Sequence, residues 1–240
     1  GLREGAPQAG TLRITVPDGA LATFAVLART TTPTSAPHPE GAAGLAYPAV
    51  GPSSAVAGRA VVHGLRATAT ERSNLAVWNP GASPVTVRIV AASGTGDGRE
   101  VVVADGWPLG PGDWRQVDGV LSKAGILQGW AVVERVGGGV FSAYGVVNDG
   151  GTNDGSYLEA AADAAVSEVI VVPVLVETPG FRTELILANR GAADALLELD
   201  YRESLSPAAG EGGRATVSLA PREQRIVADA FTWLRSLGIV

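Results

Sequence analysis

Acid–base or nucleophilic chemistry has little to work with in this chain. Its two histidines are His38, in a proline-rich stretch, and His63, at the end of an expected strand. A Ser-His-Asp triad needs a histidine poised between a hydroxyl and a carboxylate, and no Gly-X-Ser-X-Gly elbow presents such a serine. His63 reads as a partly exposed strand-end residue. Residues 148–156, Asn-Asp-Gly-Gly-Thr-Asn-Asp-Gly-Ser, carry the oxygen ligands that calcium prefers. They lack EF-hand spacing and its terminal Glu, and the same residue types make turns, which is the reading taken. The glycine-rich run 94–99 suggests a phosphate loop. Such a loop needs a helix N-terminus after it, whereas residues 100–103 read as a strand, so a hairpin loop is expected.

Five tryptophans, Trp78, Trp107, Trp114, Trp130 and Trp233, are candidates for stacking on sugar rings. Strand alternation puts several of them in or near a core. Trp107, in the run Asp105-Gly106-Trp107-Pro108, is expected to be exposed. Packing or a protein interface is the main reading, and surface glycans are the alternative partner. Arg72, Arg115, Arg182 and Arg225 form two pairs at equivalent places in an internal repeat, which points to a fold-supporting role. No catalytic, cofactor-binding or metal-binding residue is assigned, and no enzymatic activity is expected.

The elements that position these residues are short. The chain has 240 residues with 32 Gly, 15 Pro and only 5% aromatics, which suits an all-β chain with many turns. A net charge of -6 disfavours nucleic acid, no polybasic patch addresses a membrane, and no apolar run reaches the ~18 residues of a span. With no Cys there are no disulfides or thiolate metal sites, which leaves the compartment open. Strands are expected at 59–63, 73–79, 84–92, 99–104, 113–117, 130–136 and 140–147. A short helix over 119–124 is expected to be capped by Asp118. A second series follows near 168–176, 183–189, 195–201, 214–219 and 223–228, with a helix at 229–236. Two strands at 11–16 and 21–28 open the chain, and 29–58 reads as an extended Thr/Pro loop and linker.

The two series are copies. Residues 72–81 recur as 182–191, Leu109, Pro111 and Arg115 as Leu219, Pro221 and Arg225, and Tyr47 as Tyr157, all 110 residues apart. Residues 21–27 match 141–147, which places the closing part of a copy at the start of the chain. About seven short strands per copy is the count of an immunoglobulin-like sandwich. The expected fold is therefore all-β, with two immunoglobulin-like β-sandwich domains, the second split between the chain termini. Residues 48–160 form the complete sandwich. Residues 161–240 are the N-terminal half of another, completed by 1–47 of the same or a neighbouring chain.

The run Arg-(Ser/Thr)-X-Leu-X-(Val/Leu)-X-Asn-X-Gly, then Leu-X-Pro-X-X-X-Arg and a short helix, resembles tandem β-sandwich repeats of large secreted and cell-surface bacterial proteins. Arg72 to Gly81 with Leu109 to Arg115 carry it, and so do Arg182 to Gly191 with Leu219 to Arg225. The resemblance implies an extracellular structural role as a spacer, adhesin or scaffold. With the split second copy, it leads to the expectation of head-to-tail self-association by strand complementation. The expected product is a filament or surface fibre at the cell surface, without nucleic acid, cofactor or membrane insertion.

Overall fold

A computed structural model describes residues 10–15, 26–33, 42–49, 54–163, 169–204 and 210–239. Strand accounts for 55% and helix for 7%, so the all-β class holds. The described residues divide into two compact units. The first holds those up to Ala92 and from Glu100 to Asp163, and the second holds Ser93–Arg99 and those from Val169 on.

An N-terminal hairpin, β1 (Leu27–Pro33) with β2 (Ala42–Pro48), belongs to the first unit. It occupies part of the stretch expected as loop. Thr30, Thr31 and Thr32 are β-branched and favour a pleated strand, which outweighs the nearby prolines. Residues 11–15 form no strand, and the remainder of the expected strand at 21–28 up to Ala25 lies outside the described residues.

The strands that follow are β3 (Arg59–Arg66), β4 (Glu71–Trp78), β5 (Val85–Ser93), β6 (Glu100–Leu109), β7 (Trp114–Val117), β8 (Gln128–Gly138), β9 (Ser142–Asp149), β10 (Gly155–Glu159) and β11 (Ala161–Ala162). They form a four-stranded antiparallel sheet in the order β10-β9-β4-β7 and a five-stranded one in the order β11-β3-β8-β5-β6. Alternate residues of both sheets enter one core. Val62 and Leu65 come from β3, Leu75 and Val77 from β4, Val87 and Ile89 from β5, and Phe141 from the residue just before β9. Alternation of this kind turns one face of a strand to a core, and the five-stranded sheet also buries Val61, Val90, Trp130 and Val132 on its other face. A short helix, α1 (Val120–Ala124), adds Val120 and Leu121 to the core. Asp118 does not cap it. Gly119 takes the cap position at φ 59, where left-handed backbone suits glycine, and Asn74 Oδ1 accepts its N–H at 3.0 Å.

The second unit repeats the middle of this plan. Its strands are β12 (Leu185–Ala188), β13 (Ala195–Arg202), β14 (Gly212–Leu219) and β15 (Gln224–Val227), followed by α2 (Ala230–Ser236). β12 pairs with β15 and β13 with β14. The β12–β15 register is that of β4–β7 moved by 110 residues, and β13–β14 begins as β5–β6 does but runs on without its bulges. Leu75 faces Val117 as Leu185 faces Val227, and Val85 faces Leu109 as Ala195 faces Leu219. Here Asp229 does cap the helix, accepting the Thr232 N–H at 3.0 Å. Among the described residues no helix is long and apolar enough to cross a membrane.

Candidate functional site

A buried asparagine organises the same corner in both units. Asn79 Nδ2 donates to the carbonyls of Ser83 and Leu109 at 2.8 and 3.1 Å, and its Oδ1 accepts the Gly81 N–H at 2.8 Å. Asn189 does the same with Ala193, Leu219 and Gly191 at 2.8, 3.1 and 2.9 Å. A second shared joint ties the strand before it. Ser73 Oγ bonds both backbone groups of Arg66 at 2.7 Å, and Thr183 Oγ1 bonds those of Val176 at 2.7 and 2.9 Å. Residues 169–176, the counterpart of β3, are therefore tethered as β3 is.

What differs is the partner. In the first unit β8 lies between β3 and β5, and β9 lies between β10 and β4. In the second unit no described strand occupies either place. Residues 169–176 form no ladder, although a strand was expected there. A sheet edge without a neighbouring strand is open to the addition of another. Val169, Ile170, Val171, Val172, Val174 and Val176 are 40–83% exposed. Among the described residues, then, β12 has no neighbour on the side away from β15, and residues 169–176 offer an exposed apolar run.

The first unit carries a different feature, on the outer face of its four-stranded sheet. β4 puts Trp78 there, directly opposite Trp114 of β7. Tyr144 of β9 and Tyr157 of β10 share the face, since Ala76 pairs with Tyr144 and Tyr157 with Val146. Tyr144 and Tyr157 stack at 5.3 Å, Trp78 lies 5.9 Å from Tyr144, and Tyr47 of β2 meets Tyr144 edge-on at 5.6 Å. Trp114 Nε1 donates to Tyr144 Oη at 3.1 Å. All five rings are half-buried. Beside them Trp78, Tyr157, Glu159, Ser54 and Ser142 line a shallow cleft. The counterparts of Trp78 and Trp114 are Ala188 and Gln224, so the fold does not demand these rings. The tyrosines escaped the sequence reading because the register that gathers them is non-local. The alternation within 72–78 and 142–148 was the available signal.

Burial pushes Tyr157 up to about 12, with the Glu159 carboxylate adding to it, and burial also raises Tyr144. An unfolded tyrosine loses its proton near 10.0. Between that pH and about 12 the unfolded chain binds fewer protons than the folded one, so stability falls as pH rises through this window. Below it this contribution is fully present. Alkaline urea titrations are expected to show a steeper loss for the native chain than for Tyr157→Phe, and equal slopes would refute the assignment.

The other expected sites take ordinary structural roles. His38 lies outside the described residues. His63 is half-buried with its ring 6.5 Å from that of Trp130. Asp149 Oδ1 accepts the N–H groups of Gly151 and Thr152 at 2.9 and 2.6 Å, bonds that hold its carboxyl below the usual range. Asp154 Oδ1 accepts the Gly44 N–H at 3.0 Å, and Asn153 Oδ1 accepts from Arg72 at 3.0 Å. Their oxygens thus serve the turn and its neighbours. Residues 94–98 lead into β6 as a hairpin loop, with Asp97 accepting the Arg99 N–H at 3.0 Å. Trp130 is 1% exposed. Trp107, expected to be exposed in a loop, lies inside β6, half-buried against the core with the Arg115 guanidinium 5.6 Å from its ring. Arg225 instead pairs with Glu223 at 2.8 Å, and Arg182 lies 3.7 Å from Asp229. The recurrent arginines share positions but not partners. Comparison with protein-family models, with curated proteins and with solved structures finds no match to this chain.

Proposed function

We propose that this chain is a non-enzymatic, extracellular structural protein. In this reading it is built from immunoglobulin-like sandwich repeats and acts as the subunit or repeat unit of a head-to-tail filament or surface fibre. One observation carries the reading. The second unit reproduces the β4–β7 register, the asparagine corner and the tethered β3 counterpart of the first, while the places of β8 and β9 are uncovered among the described residues. Strands from another copy or a neighbouring repeat, set in these two places, restore both ladders and cover the apolar run. Each large apolar side chain so buried contributes ~1.5–3 kcal/mol. A contact between two different surfaces propagates rather than closing on itself. The resemblance to tandem repeats of bacterial surface proteins agrees with this role. Light scattering and electron microscopy of the full chain are expected to show linear assemblies that are lost on deleting residues 1–33. A chain that stays monomeric at high concentration, or a truncated chain that still assembles, would overturn the reading.

The aromatic face favours a second reading, a carbohydrate- or surface-binding accessory module. Aromatic faces stack on the apolar faces of sugar rings, and the non-recurrence of Trp78 and Trp114 argues for a role specific to the first unit. Retardation in gels containing soluble neutral polysaccharides, lost in Trp78→Ala, is the expected sign. No retardation with any polysaccharide would remove this reading.

A further inference from the structure

We infer that β1 of one copy pairs antiparallel with β12 of a second copy, completing a four-stranded sheet in the order β2-β1-β12-β15. This rests on the assembly reading and names the segment and register that serve it. In the first unit the equivalent order is β10-β9-β4-β7. β12 and β15 already reproduce β4 and β7, and the hairpin β1–β2 reproduces β9–β10. Gly44 faces Thr31 as Gly155 faces Asn148, and Tyr47 faces Ala28 as Leu158 faces Gly145. β9 uses both edges, one for β10 and one for β4, whereas among the described residues β1 has a ladder only with β2.

Steric fit selects this phase over one that matches Tyr47 to Tyr157. A Cβ on Gly145 would stand 2.7 Å from Val62 Cγ1 and 3.0 Å from Leu65 Cδ2. The counterparts of those two residues are Val172 and Leu175, so the strand that completes the second unit needs a small residue there. The Cβ of Ala28 itself requires Val172 to shift there, and Leu27, which the other phase would put at that place, requires far more room. The match of Phe24 to Tyr144 suggested by sequence falls outside the described residues.

The register then follows from the pairing of β4 with β9, where Asn74 faces Val146, Leu75 faces Gly145 and Ala76 faces Tyr144. Transferred, it sets Glu184 opposite Arg29, Leu185 opposite Ala28, Ile186 opposite Leu27 and Leu187 opposite Val26. The one charged pair is of opposite sign, and the three others are apolar on both sides, the combinations that stabilise facing strands. Val26 and Leu27 are 36% and 66% exposed, so the donor strand is accessible. Within its own chain β2 rests Ala43 and Leu45 against the first unit, where the Gly155 Cβ position lies 3.5 Å from Leu45 Cβ. Donation therefore exchanges that contact for the sheet of the second copy and uncovers Tyr144 and Tyr157.

The chain has no Cys, so engineered thiols report cleanly. Facing Cα atoms in an antiparallel pair lie about 4.5–5.5 Å apart, inside the span a disulfide bridges. Leu27→Cys mixed with Ile186→Cys, each a single variant of the full chain, is expected to give a disulfide-linked heterodimer under mild oxidation. Ala28→Cys with Ile186→Cys, whose side chains point to opposite faces, is expected to lose it. Arg29→Glu should weaken assembly, and adding Glu184→Arg in the same chain should restore it. Equal cross-linking of the two thiol pairs overturns the register. So does a Leu27→Cys/Ile186→Cys double variant that closes its disulfide within one monomer. Filaments without the 27–186 cross-link would overturn this inference and leave the assembly reading standing. Absence of any oligomer would overturn both.

Discussion

Replacing Asn79 with alanine is expected to cost the first unit about 3 kcal/mol, read as a lowered urea midpoint for that unit's transition. The residue is 0% exposed and holds three backbone groups, the carbonyls of Ser83 and Leu109 and the N–H of Gly81. Leaving a buried backbone group unpaired costs ~1–3 kcal/mol, and partial solvent access at the corner keeps the sum toward the low end. Asn79→Asp keeps the acceptor and loses the donor, so it should also destabilise. Asn189→Ala is expected to act on the second unit alone, because its bonds lie wholly within that copy. A change below roughly 0.5 kcal/mol at Asn79, the scatter of ordinary surface substitutions, would show that the corner is held by the chain around it rather than by the amide.

The second large effect is expected at Trp130. This side chain is 1% exposed and belongs to a cluster with Val61, Val90, Ala92 and Val132, on the face of the five-stranded sheet opposite the main core. Trp130→Ala is expected to lower stability by ~3–5 kcal/mol, the usual cost of truncating a buried aromatic. Trp78→Ala, on the half-exposed aromatic face, should cost clearly less. Equilibrium unfolding of the two variants side by side tests the contrast. Equal losses would mean that the outer-face rings are as integral to the fold as Trp130.

Much of the architecture is legible in the residues. The repeat of residues 72–81 at 182–191 foretold that β12–β15 would copy the register of β4–β7, because equal spacing of apolar residues and turns leads to equal ladders. The strands from 59 to 147 and the two helices fall close to where alternation and glycine turns put them. The misses have physical causes. Residues 169–176 carry a strand's composition yet form no ladder, since a strand is defined by its neighbour as much as by its own side chains. Asp118 has a capping side chain but sits one position before the cap, which Gly119 takes. The aromatic face was out of reach because it joins Tyr47, Trp78, Trp114, Tyr144 and Tyr157 from five strands, and strand order is not written in local sequence. The hairpin β1–β2 was hidden by prolines at its ends, Pro33 and Pro48.

Pro173 has a consequence of a different kind, for solubility. An exposed stretch as apolar as residues 169–176 is the type of segment that stacks into cross-β aggregates. A proline within it interrupts any regular ladder, because it has no N–H to give. In the first unit the equivalent residue, His63, falls with Gly64 at a break in the register between Val62 and Leu65, where Gly64 takes φ 78. A proline there falls where the regular register is already broken. The same position therefore tolerates the one residue that discourages identical chains from stacking, while a partner that bulges correctly can still pair on either side of it.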